Sequence, residues 1–153
     1  MTYKIAAALL LTSALAACSG ADTTTANTTR SAPISAPSSQ AVAAKTKAVL
    51  IYAKWCGSCK VLDPKVKAAK AMGAVPGLEF VVLDYTEKDA DAFYAAAAQA
   101  GVEEAVRAHM DGNIKTGQLL LIDVDDKTVL SKVTKTFDAA QILTAMKDAV
   151  AQS

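Results

Sequence analysis

Three cysteines and one histidine in 153 residues leave little material for metal or disulfide architecture. A structural disulfide framework uses more cysteines, spaced further apart, and a zinc site needs two ligands beyond a cysteine pair. No Met-rich or His-rich segment supplies them, and His109 is the only histidine. A net charge of +1 gives no electrostatic case for a nucleic-acid partner. No apolar run reaches the ~20 residues of a membrane span. The apolar fraction of 52% is inflated by alanine and by the N-terminal leader, so it does not imply a membrane-embedded domain. There is no internal repeat.

What is present begins at the N-terminus. Met1-Thr2-Tyr3-Lys4 is a short basic start, and residues 5–17 are apolar and small, the length of a signal-peptide core. Leu15-Ala16-Ala17-Cys18 closes this segment and resembles the bacterial lipoprotein signal. That resemblance implies a signal peptide over 1–17, acylation of Cys18 and a membrane anchor through its lipid. The alternative is an ordinary secretory signal cleaved near Ala14-Leu15-Ala16, leaving a secreted or soluble periplasmic protein. Both place the chain outside the cytoplasm, in the cell envelope. Ser19 after the cysteine implies passage to the outer membrane in a cell that has one. Residues 18–44 are Thr, Ser, Ala and Pro with almost no large apolar side chain, which predicts a flexible tether. The remaining segment, 45–153, reads as one domain.

Within it, 47–53 is a continuous, partly β-branched run that predicts a buried strand. Residues 58–72 carry Val61, Leu62, Val66, Ala69 and Met72 near a 3.6 period, a helix that Pro64 should kink. Gly73 is a stop and Pro76-Gly77 a turn before a second strand over 78–84. Strand, helix, strand in this span imply a right-handed crossover and a parallel pair. Residues 86–109 are helical, with Thr86 as cap and Gly101 dividing helices at 88–100 and 102–110. Strands at 118–124 and 128–134 flank the turn Asp125-Asp126-Lys127. Asp138 caps a last amphipathic helix with Ile142, Leu143, Met146 and Val150 on one face. The order is β-α-β-α-α-β-β-α, an α/β domain with a four-stranded mixed sheet.

The chemistry sits at Trp55-Cys56-Gly57-Ser58-Cys59-Lys60, directly after the first strand and at the start of the first helix. With Cys18 lipidated, Cys56 and Cys59 have only each other. Residues three apart on a helix share a face, at a Cα separation that suits a disulfide. The reactive species is the thiolate, and a helix N-terminus favours it because unpaired N–H groups point at the sulfur. Lys54 and Lys60 flank the pair as tuning groups or as solvated surface charges. We expect a Cys56 pKa of about 7 or somewhat below. Trp55 is either core or a platform facing a partner. Asp63 and Asp84 are weighed as proton acceptors against plain helix-surface and strand-end roles. His109 is expected on a helix surface.

The strand, the Trp-Cys-Gly-x-Cys-Lys run, Pro64 eight residues after the first cysteine, the crossover strand, the hairpin and the terminal helix together resemble the thioredoxin family over about 45–153. The resemblance implies a thioredoxin-like fold without the family's opening strand and helix. It makes Cys56 the exposed nucleophile and Cys59 the buried resolving cysteine, with Trp55, Gly57, Ser58, Thr116 and Gly117 along the surface that holds a substrate. Three departures stand out. Ser58 replaces a proline between the cysteines, Leu50 a buried aspartate, and Gly117 the cis-proline before the third strand. The last change bears on substrate grip and on access of metal to the cysteines. The implied activity is extracytoplasmic thiol–disulfide exchange with cysteine-containing envelope proteins and a redox donor or acceptor. No cofactor is called for, and a monomer is expected. The alternative is a non-enzymatic metallochaperone holding Cu(I) on Cys56 and Cys59.

Overall fold

The computed structural model describes residues 44–153. The expected signal peptide, Cys18 and all but the last residue of the tether lie outside the described residues. The order of elements is β1 (Thr46–Tyr52), α1 (Gly57–Met72), β2 (Leu78–Asp84), α2 (Ala90–Gln99), α3 (Glu103–Met110), β3 (Gln118–Asp123), β4 (Thr128–Thr134) and α4 (Ala139–Gln152). One mixed sheet runs in the order β2-β1-β3-β4. β1 is parallel to β2 and antiparallel to β3, and β3 is antiparallel to β4.

Both faces of this sheet are covered, which explains why β1 and β3 read as unbroken apolar runs. Side chains alternate along a strand. Val49 and Ile51 of β1, with Leu120 and Ile122 of β3, point to α2 and α3 and meet Phe93, Ala97, Val106 and Met110. Ala48 and Leu50, with Leu119 and Leu121, point the other way and meet Leu62 and Val66 of α1 and Ile142 and Met146 of α4. Each such Leu or Ile contributes about 1.5–3 kcal/mol by leaving water. Leu50, at the position where the family resemblance places an acid, is an ordinary member of this second core.

The ends of the elements follow local chemistry. Val75-Pro76-Gly77-Leu78 forms a turn closed by the Leu78 N–H on the Val75 carbonyl at 3.2 Å, and Gly77 supplies the required positive φ of 84°. After α2 the N–H of Val102 bonds the Ala97 carbonyl and that of Gly101 the Ala98 carbonyl, with Gly101 at φ 69°. This paired closure is the Schellman arrangement, and it puts Val102 back into the core beside Ala97. Asp138 and Gln141 form a reciprocal capping box at the start of α4. α1 continues through Pro64, which supplies no N–H to the carbonyl four residues before it.

Two expectations are corrected. The cap of α2 is Asp89, whose carboxylate accepts the Ala92 N–H, and the helix starts two residues later than read. Thr86 is instead held by Asp84, whose carboxylate accepts both its N–H (2.7 Å) and its hydroxyl, while the hydroxyl oxygen accepts the Lys54 N–H. His109 is half-buried rather than on an open surface, because its ring turns toward Gln118. Among the described residues no helix is long and apolar enough to cross a membrane.

Candidate active site

β1 ends at Tyr52, and four residues carry the chain to α1. Cys56 is the N-cap of α1, with extended backbone, and its sulfur does what a serine or aspartate oxygen does at most caps: it accepts the N–H of Cys59 at 3.1 Å. The Cys56 N–H is bonded to the Ala53 carbonyl at 3.1 Å, which fixes the approach to the helix. No acidic residue occupies the first turn of α1. The positive end of the helix therefore faces the Cys56 sulfur, with no first-turn carboxylate to share it.

Cys59 lies one turn on. Cys56 and Cys59 are disulfide-bonded, with Cα atoms 5.2 Å apart. Cys59 is fully buried, and its sulfur lies 3.8 Å from the Ile51 carbonyl oxygen. Cys56 is 6% exposed. It is thus more covered than the resemblance implied, and Gly117 lies close against it. A Cβ at that glycine would stand 2.6 Å from Ser58 Cβ, 3.2 Å from Cys56 Sγ and 3.4 Å from the Cys59 nitrogen. Gly117 has φ 79°, and its N–H donates to the Ile51 carbonyl at 2.8 Å. A proline could make no such bond. Close packing and positive φ together explain why glycine stands here.

Trp55 is 49% exposed. Its Nε1–H donates to the Thr86 carbonyl at 2.8 Å, its ring meets Tyr85 edge-on, and the Lys88 ammonium lies 5.0 Å from the ring centre. The Thr86 hydroxyl also accepts the Lys54 N–H at 3.1 Å. One residue of the loop after β2 therefore holds the two residues that precede Cys56. Sequence reasoning missed this role. Its signal is an aspartate two residues before a threonine at a strand end, a local carboxylate-to-backbone turn.

The remaining expected residues fall as follows. Gly57 is exposed with open space around it, and Ser58 is half-buried against Gly117. Lys54 and Lys60 are exposed, and Thr116 is half-buried, next in the chain to Gly117. Asp63 is ion-paired with Lys67 at 2.6 Å, which raises the Lys67 pKa above the ordinary lysine value, chiefly through that hydrogen bond. Asp84 is engaged by Thr86. Both carboxylates thus have the surface roles favoured over proton acceptance. Among the described residues no group of three or more His, Cys, Asp or Glu side chains gathers as a metal site.

A cysteine pair that closes across one helical turn, at the C-terminal end of a central strand in this α/β fold, defines a thiol–disulfide oxidoreductase. Residues 35–105 match the family model described as Thioredoxin, the match beginning inside the segment read as tether. Among solved structures the chain is similar to Trxlp from Edwardsiella tarda EIB202, at 19% identity and a TM-score of 0.44, over 70% of this chain and 85% of that one. It is also similar to Fasciola hepatica thioredoxin, at 20% identity and a TM-score of 0.38, over 71% of this chain and 81% of that one. No curated protein matches the chain.

Proposed function

We propose that the chain is an extracytoplasmic thiol–disulfide oxidoreductase, held to a membrane by lipid on Cys18, that exchanges disulfides with cysteine-containing envelope proteins. The observation that carries the catalytic part is the Cys56 sulfur at the N-cap of α1, accepting the Cys59 N–H, with its partner one turn along. The basic start, the apolar core and Leu15-Ala16-Ala17-Cys18 support the location.

In the reductive direction the Cys56 thiolate attacks one sulfur of the partner's disulfide. The Cys56–partner bond forms, and the partner's second sulfur leaves as a thiolate. Cys59, deprotonated in turn, attacks the Cys56 sulfur, closes the internal disulfide and expels the partner's first sulfur. Two electrons pass from the dithiol to the partner, and the two protons follow. The same steps reversed oxidise a dithiol. The potential of the partners sets the direction. Cys56, the less buried sulfur, is the nucleophile, and Cys59, sealed beneath it, is the resolver. Trp55, Gly57, Ser58, Thr116 and Gly117 form the surface a partner meets, and Lys54 and Lys60 favour the thiolate.

Insulin reduction by the chain tests the activity. We expect turnover that Cys56→Ser abolishes, and turnover equal to that of the variant would refute the reading. Detergent phase partitioning of the expressed protein tests the anchor. The wild type should enter the detergent phase and Cys18→Ser the aqueous phase.

A further inference from the structure

Gln118 is one of the few buried polar residues of the domain, 6% exposed, and nothing in the exchange chemistry itself calls for an amide at the first position of β3. Every polar atom of its side chain is nevertheless committed. Nε2 donates to the Lys115 carbonyl at 2.9 Å, and Oε1 accepts the His109 Nε2–H at 3.3 Å. The same Nε2 lies 3.7 Å from Met110 Sδ, a sulfur that also accepts the Lys115 N–H at 3.2 Å. The amide therefore ties the last turn of α3 to the Lys115 carbonyl, while Met110 Sδ holds the Lys115 N–H. Between Lys115 and Gln118 stand only Thr116 and Gly117. The bond from Gln118 Nε2 to the Lys115 carbonyl closes that span as a backbone turn bond would.

What the span holds in place is the wall of the redox pair. Gly117 abuts Cys56 Sγ and Ser58, and its N–H occupies the Ile51 carbonyl. That carbonyl oxygen also lies 3.8 Å from the Cys59 sulfur. On reduction the Cys59 S–H needs an acceptor in a buried site, where an unsatisfied polar group is costly. The Gly117 N–H shares that oxygen, so each bond to it is weaker than it would be alone.

We propose that Gln118 is a positioning residue for the thiol–disulfide couple: with His109 it clamps the 115–117 turn against Cys56 and keeps the Ile51 carbonyl engaged by Gly117, which disfavours the dithiol. This rests on the redox reading of Cys56 and Cys59. It assigns to a glutamine outside the cysteine motif a part of the equilibrium between the two forms.

The experiment is the equilibrium of the Cys56–Cys59 couple with glutathione, measured on the full chain carrying Cys18→Ser, so that the pair supplies its only thiols. Gln118→Met keeps the volume and removes the amide. We expect the equilibrium constant to move toward the dithiol by about fivefold, the worth of one neutral hydrogen bond. His109→Ala removes one of the amide's partners at a half-buried position and should move it the same way by less, which keeps the test open if Gln118→Met does not fold. An unchanged constant in the folded variants, with only a lowered melting temperature, would overturn the proposal, as would a shift toward the disulfide. A chain that reduces no insulin still has this equilibrium to measure, so the two readings fail separately.

Discussion

At the scale of single residues the site depends on atoms that touch. Gly117 is the clearest case, since its φ of 79° and a would-be Cβ 2.6 Å from Ser58 Cβ both exclude larger residues. Gly117→Ala should cost about 1–3 kcal/mol, the range for a side chain forced into a sparsely populated backbone region. Urea unfolding of the oxidised protein measures it. The crowded neighbour is the α1 backbone at Cys59 as well as Ser58, so the strain should also slow closure of the disulfide. A variant as stable as the wild type would mean that the wall can retreat. Cys56 shows the same principle in reverse. It is a poor cap by the usual ranking, and it occupies the cap because its sulfur there receives an N–H that stabilises negative charge.

Elements stand or fall on their ends. α4 closes one face of the sheet with Ile142, Met146 and Ala149 buried, and its start is held by the Asp138–Gln141 box. Asp138→Ala should destabilise by about 0.5–2 kcal/mol, the usual loss for a capping carboxylate. Thermal unfolding followed by circular dichroism would show it, with the glutathione equilibrium unchanged, because α4 does not line the redox pair. The contrast with α1 is informative. α1 is capped by the Cys56 sulfur where α4 is capped by a carboxylate, so the helix nearest the chemistry is the less conventionally capped of the two.

At the scale of the described domain, the central strands carry stability and site together. β1 and β3 are covered on both faces, and the two strands end where Cys56 and Gly117 meet. Leu120→Ala, a fully buried position in β3, should cost about 2–5 kcal/mol through lost burial and the cavity left behind. Denaturant unfolding measures this, and a loss below that of the Asp138 cap would contradict the two-sided core.

The strands, the first and last helices, the break at Gly101 and the cysteine pair were legible in the chain itself. Each is written locally, in apolar runs, in 3.6 periodicity, in a glycine within a helical run, or in a spacing of three. The roles of Thr86, Asp84, His109 and Gln118 were not, because each bonds to a group whose position depends on how strands and helices pack. Thr86 looks like a helix cap until Asp84 is seen to hold it and Lys54 and Trp55 to lean on it. Gln118 looks like the polar first residue of a strand until α3 brings His109 and Met110 against it. Sequence alone thus determined which residues can do the chemistry, since thiol reactivity and helix geometry are properties of a short segment. Only the tertiary structure decided what surrounds the sulfurs, because burial and hydrogen-bond partners arise from contacts between segments distant along the chain.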